Sequence, residues 1–252
     1  KISVFGLKYN NIIKYLERKK KIPKENNKVI TFFTYDYHLS YNVDRGATTK
    51  LLYTSNKYDN LFKFKNNRGF YILNFIQTLK AFIEYAKNNP DITCIIKYRD
   101  NVQHHVRETL FDVIDEYKIN IDGIRNLNIT SKENPHDLIM KSNIVCGYAS
   151  TTLFEALIAK KIVVIPFFFK KEIIKKYKDA FHLHIFKYPK LYKVVRNQNE
   201  FFNELEKNIK KFDTLNFDNK TPINLFNEYA GLYSSKQEKI LKKTIDNIVN
   251  HK

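Results

Sequence analysis

Unbroken apolar runs alternate with stretches of helical periodicity along most of this chain. Val29-Ile30-Thr31-Phe32-Phe33-Thr34 is almost entirely β-branched or aromatic and predicts a buried strand, with a polar loop over 35–49 behind it. From Tyr71 to Asn88, the positions Ile72, Phe75, Ile76, Leu79, Phe82 and Ile83 recur every three or four residues, which predicts an amphipathic helix that Asn88-Asn89-Pro90-Asp91 stops. Ile92-Thr93-Cys94-Ile95-Ile96 predicts a second buried strand and 106–117 a helix, and 124–130 holds a short strand. Pro135 to Ser142 predicts a short helix opened by proline, whose missing N–H costs nothing in a first turn. Ile144-Val145-Cys146 is a strand that breaks at Gly147; Thr151 to Ala159 follows as a helix, and Ile162-Val163-Val164-Ile165-Pro166 closes the series as a strand. The C-terminal stretch, 199–249, reads as mainly helical.

Strands without polar alternation, separated by helices, belong to a parallel sheet covered on both faces. The expected fold class is therefore α/β, a doubly wound Rossmann-like parallel sheet with helices on both sides. At 252 residues and 43% apolar content, the chain can bury one substantial core. That core is expected over 28–252. Residues 1–27 read as a short strand ending in Gly6 and a basic linker.

Composition changes this picture little. The formal charge of +18, from 44 Lys and Arg against 26 Asp and Glu, invites a nucleic-acid partner. The Lys, Asn, Ile, Tyr and Phe bias runs through the whole chain, however, and no RNP-like, KH-like or zinc-knuckle pattern interleaves aromatic with basic residues. The remaining expectation is a preference for anionic ligands: nucleotide diphosphates, acidic glycans or the face of an anionic membrane. There is no apolar run of 18 residues, and the N-terminus lacks a signal-peptide profile, so a cytoplasmic protein is expected that meets a membrane only peripherally. Cys94 and Cys146 lie in strand-like runs without a neighbouring ligand at metal spacing and are expected as buried free thiols.

In an open parallel sheet, ligands bind at the carboxyl ends of the strands. After Ile144 to Cys146 the chain reads Gly147-Tyr148-Ala149-Ser150-Thr151-Thr152-Leu153-Phe154-Glu155. Gly147 permits a tight exit, and Ser150, Thr151 and Thr152 set hydroxyls and backbone N–H groups where a helix begins, a favourable place for phosphate. Glu155, one turn on, is placed to accept both hydroxyls of a ribose. The same residues also fit an ordinary N-cap with Glu155 as its capping-box acid. Lys97 and Arg99 follow the second strand and would direct two cations at the cleft, or stand as surface charges. Asp36 and His38, after the first strand, are candidates for a base or donor-sugar contact, and equally fit an exposed loop. His136 and Asp137 open the short helix, where the dipole favours an acid in the first turn.

The segment from Asn134 to Phe168 combines Asn134-Pro135-His136-Asp137, a strand ending at Gly147, the Ser150-Thr151-Thr152 turn, Glu155-Ala156 and Lys161-Ile162-Val163-Val164-Ile165-Pro166. It resembles the donor-binding signature of GT-B glycosyltransferases of bacterial surface-carbohydrate and capsule synthesis, the Kdo-transferase-like and CDP-glycerol transferase-like groups in particular. The resemblance extends more loosely to Val4-Phe5-Gly6-Leu7, Phe226-Asn227-Glu228-Tyr229 and Ser234-Ser235-Lys236, whereas Lys97-Tyr98-Arg99-Asp100 departs from the Lys-Pro-His-Pro-like segment of such enzymes.

The resemblance implies the C-terminal half of a GT-B fold that binds a CMP-, CDP- or UDP-linked sugar donor without metal or other cofactor. Transfer would go to a glycan or lipid-linked acceptor held by an N-terminal domain of comparable size, expected from a longer chain or a partner subunit. His136 would lie close to the nucleobase and ribose as a nucleotide contact, Lys97, Arg99 and the Ser150 to Thr152 turn would stabilise the leaving nucleotide, and the base would come from the other domain. Two rivals remain open: a non-hydrolysing nucleotide-sugar 2-epimerase-like enzyme, and a basic RNA- or glycan-binding module without chemistry.

Overall fold

The five apolar runs expected as strands between residues 29 and 166 all form strands, and they line up in parallel. In a computed structural model of the chain, the described residues are 28–34, 69–98, 110–148, 150, 152–169, 171 and 191–211. In chain order they form β1 (Val29–Phe33), α1 (Gly69–Asn88), β2 (Thr93–Lys97), α2 (Leu110–Glu116), β3 (Leu127–Thr130), α3 (Pro135–Lys141), β4 (Ile144–Gly147), α4 (Thr152–Ile158), β5 (Ile162–Pro166), β6 (Tyr192–Val195) and α5 (Gln198–Lys211). The sheet order is β3-β2-β1-β4-β5-β6, with every neighbouring pair parallel. This is the strand order of a doubly wound Rossmann-like sheet.

β1, β4 and β5 are buried along their whole length, as strands covered on both faces must be. The pleat of β1 shows the two covers. Phe32 packs against Phe75 and Phe82 of α1 at ring distances of 6.2 and 5.6 Å. The adjacent Thr31 turns to the other side, where its hydroxyl lies 2.6 Å from that of Ser142 at the end of α3. One layer therefore pairs α1 with α5, which touch each other, and the opposite layer pairs α3 with α4.

Polar side chains tie helix ends to the sheet. Asn126 Nδ2 donates to the carbonyls of Ala86, Asn89 and Ile92, closing the C-terminus of α1 onto the start of β3. Asn74, buried in α1, brackets the exit of β5 by donating to Pro166 O at 3.1 Å and accepting from Phe168 N at 2.8 Å.

The short strand expected within 124–130 takes the last four residues, because Gly123 at φ +74° and a turn closed by Leu127 N on Ile124 O occupy the residues before it. β6 was not foreseen: its four residues carry a lysine at the sheet edge, a polar edge composition that guards against pairing with other chains. The C-terminal helix is seen as α5, and the remainder of 199–249 lies outside the described residues, as do 1–27 with their expected strand and linker. No helix among the described residues is long and apolar enough to cross a membrane.

Cys94 and Cys146 are free and buried, as expected. Burial pushes the Cys94 thiol up to about 12 and holds Cys146 well above its ordinary range, and the Tyr85 phenol is raised for the same reason. Burial lowers Lys161, whose ammonium donates to Met140 O at 2.7 Å, to about 8. Between pH 8 and 10.5 the unfolded chain binds more protons at Lys161 than the folded one, so that residue's contribution to stability rises with pH. Above pH 9 the unfolded thiols ionise and the folded ones do not, so the cysteine contribution falls with pH. Two thiols outweigh one lysine. Stability of the reduced protein is therefore expected to fall from pH 9 to 10.5 in denaturant titrations. A Cys94→Ala/Cys146→Ala variant, less stable at neutral pH, should show a flattened or reversed slope over the same interval; an unchanged slope would remove the thiols from the explanation.

Candidate functional site

The chain leaves β1 for β2 on one side and later returns to β4 on the other, so the strand order reverses between β1 and β4. Connections diverge at such a point and leave a crevice beyond the carboxyl ends of the two strands. Phe33 and Gly147, the last residues of β1 and β4, are register partners there.

Gly147 is dictated by this closeness. A Cβ built on it would stand 2.9 Å from Phe33 O and 3.3 Å from Leu153 Cδ2. β4 thus runs tightly along β1 while α4 doubles back over it, and any side chain would push one of them away. Beyond Gly147, the Ser150 and Thr152 hydroxyls share a hydrogen bond of 2.5 Å. Thr152 N donates to Ser150 Oγ at 3.4 Å and Leu153 N to Ser150 O at 3.2 Å, which closes the turn at the head of α4. Both hydroxyls stand at the mouth of the crevice.

Glu155 lies in the first turn of α4 and is only 7% exposed. Its carboxylate does not fold back onto the start of its own helix as a capping-box acid would. Oε1 lies 3.5 Å from His136 Nε2, in the first turn of the adjacent α3. Asn134 places His136: it caps α3 with its side chain accepting from His136 N at 2.8 Å, and Pro135 takes the first helical position. Buried Leu138 and Ile139 anchor the same helix on the sheet. α3 and α4 each follow the carboxyl end of a strand, so their first turns meet at the crevice.

Lys97, the last residue of β2, pairs with Phe33 in register and so stands at the same edge of the sheet, two strands from Gly147. Its ammonium donates to Tyr98 O and Ser131 O, each at 2.8 Å, which fastens the exit of β2 to the exit of β3. Asp36, His38, Arg99 and Thr151 lie outside the described residues. Of the residues singled out in the sequence, His136, Gly147, Ser150, Thr152 and Glu155 therefore come together around the end of β4, and Lys97 stands at the same edge beyond β1.

One cation at this edge was missed. Arg196 follows β6 directly, and its guanidinium lies over the buried Phe167 ring at 4.8 Å. Phe167 packs in turn on Tyr148, the residue after Gly147, at 5.7 Å, and on Phe169 at 4.6 Å. Burial lowers the Arg196 pKa and Glu200, which accepts from Arg196 N at 2.7 Å, works against that shift. The signal that could have found it was Tyr192-Lys193-Val194-Val195 read as a short edge strand, since a cation directly after a parallel strand lies at the ligand-binding edge.

No family model and no curated protein matches the chain. Solved structures do. A UDP-GlcNAc 2-epimerase from Neisseria meningitidis, bound to UDP-GlcNAc, aligns over 96% of this chain and 50% of its own, with 16% identity and a TM-score of 0.45. The wall teichoic acid polymerase TagF aligns over 97% of this chain and 48% of its own, with 14% identity and a TM-score of 0.44. KpsC of Thermosulfurimonas dismutans, a beta Kdo 2,4 transferase, aligns over 64% of this chain and 44% of its own, with 12% identity and a TM-score of 0.29. The chain thus spans about half the length of the structures it matches, or less.

Proposed function

We propose that this chain is the donor-binding half of a glycosyltransferase of the GT-B kind and that it holds a pyrimidine-nucleotide-linked sugar in the crevice between β1 and β4. One observation carries the reading: a nearly buried carboxylate, Glu155, and a Ser/Thr turn stand side by side at the point where the strand order reverses. Burying an acid to 7% exposure costs stability that one 3.5 Å contact returns only in part, whereas an acid one turn from a pair of hydroxyls fits a polyol joined to a phosphate.

In this reading the ribose hydroxyls donate to Glu155. The Ser150–Thr152 hydroxyl pair opens to donate to a phosphate oxygen, and Lys97, with Arg99, lends positive potential along the same edge. Transfer then needs the negative charge growing on the leaving nucleotide to be stabilised, which prearranged donors and cations do, and a base to take the acceptor hydroxyl's proton. Asp36 or His38 remains the proposed contact to the donor sugar or base for the acceptor. The acceptor, a glycan or lipid-linked saccharide, would be held by a further domain or partner, and the net charge of +18 would favour work beside an anionic membrane.

A thermal-shift panel of CMP, CDP, UMP, UDP and GDP tests this. Stabilisation by cytidine or uridine nucleotides, with little from GDP, is the expected result; indifference to all five would refute it. Epimerisation of a nucleotide sugar without acceptor would support the rival enzyme reading instead.

A further inference from the structure

Glu155 has three side-chain torsions and sits in a helix whose neighbouring Leu153, Ala156, Leu157 and Ile158 are buried and apolar. These neighbours offer its carboxylate no donor. Among the described residues, the group that meets it is His136 Nε2, 3.5 Å from Oε1. The histidine is itself held firmly: its backbone is fixed by Pro135 and by the Asn134 cap, and its ring is 20% exposed against 10% for the acid.

We infer that His136 is a positioning residue for ribose recognition, holding one carboxylate oxygen of Glu155 so that the other faces the pentose hydroxyls. The inference rests on the nucleotide-binding reading above. The resemblance alone implies a histidine that touches the nucleotide. The geometry assigns its Nε2 to the acid, so its influence on the ligand passes through Glu155. A carboxylate fixed at one oxygen loses less rotamer freedom when ribose binds, and it presents its remaining lone pairs in a set direction. At 3.5 Å the contact is longer than a charge-assisted hydrogen bond, so ligand binding has room to tighten it.

The consequence is specific to sugar hydroxyls. Loss of His136 should erode discrimination between a ribonucleotide and its 2′-deoxy counterpart more than it erodes nucleotide binding as such. Calorimetric titration of CDP against 2′-deoxy-CDP, and UDP against 2′-deoxy-UDP, reads this out. The wild-type chain is expected to prefer the ribonucleotide about tenfold or more, the usual effect of losing a hydrogen bond to a charged group. Glu155→Ala and His136→Phe should each bring the ratio close to one, and the double variant should go no lower than either alone. His136→Gln, which keeps a side-chain N–H, should recover most of the preference, a rescue that a merely space-filling role would not produce.

Should the phenylalanine not be tolerated, His136→Ala serves in its place, with the same ratio as readout. A wild-type ratio retained in His136→Phe or His136→Ala while Glu155→Ala loses it would overturn the positioning role and leave the nucleotide reading standing. Binding without any ribose preference in the wild type would overturn it too. Failure of the wild type to bind either pyrimidine nucleotide would remove both.

Discussion

Glu155→Ala should weaken binding of the preferred pyrimidine nucleotide about thirty- to a hundredfold while the chain stays folded. The loss follows from the chemistry: hydrogen bonds to a charged acceptor contribute about 1.5–3 kcal/mol each, and a factor of ten in affinity is about 1.4 kcal/mol. Folding should change far less than binding. The partner left behind, His136, keeps 20% of its side chain exposed, and the acid itself is nearly buried and, among the described residues, meets one side chain, at 3.5 Å. Removing it relieves a desolvation cost as well as breaking a pair. Titration calorimetry alongside thermal melts separates the two effects. A variant that binds as tightly as the wild type would take Glu155 out of the site, and one that unfolds would make it a structural acid.

Gly147→Ala should act in the opposite proportion, with a large loss of stability and a secondary loss of binding. The added methyl group would stand 2.9 Å from Phe33 O, a backbone atom of the central strand that β2 and β4 grip on both sides, and 3.3 Å from Leu153 Cδ2 on α4. The leucine can give by a few tenths of an ångström, but the carbonyl cannot move without its strand. Overpacking of this kind costs about 1–3 kcal/mol. For a domain of this size that corresponds to a melting temperature lower by roughly 3–10 °C. Displacing α4 from β1 also shifts the Ser150 turn and Glu155 together, so nucleotide affinity should fall with it. Gly123→Ala is the control. That position, at φ +74° in open space, would be strained locally but lies far along the chain from the crevice, so stability should drop modestly and binding should not. Equal effects of the two substitutions on binding would deny Gly147 its place at the crevice.

Much of the architecture was legible because central parallel strands leave an unmistakable imprint. A strand buried on both faces tolerates no polar alternation, and Val29 to Phe33, Ile144 to Cys146 and Ile162 to Pro166 show none. β6 escaped because an edge strand of four residues with Lys193 inside it looks like the basic segment that precedes it. Its neighbour Arg196 escaped with it, since nothing local to that residue announces that Phe167 will lie beneath the guanidinium.

The candidate site was legible in part. Gly147, the Ser/Thr turn and Glu155 lie within one short stretch whose strand-to-helix transition could be read directly, so their convergence at one strand end was a local matter. The partnership of Glu155 with His136 was not, because it depends on α3 and α4 lying side by side on one face of the sheet. Lys97 illustrates the same boundary. A lysine at the end of a buried strand was plain to see, whereas the Ser131 carbonyl that receives its ammonium arrives from the loop after β3.

The account stands on the crevice between β1 and β4 receiving a nucleotide diphosphate, and a crystal structure of the chain soaked with CDP or UDP would examine that directly. Phosphate oxygens within hydrogen-bonding distance of Ser150 and Thr152, with both pentose hydroxyls against Glu155, is the predicted result. Nucleotide density elsewhere on the chain, with the Ser150 hydroxyl still closed upon that of Thr152, would contradict it.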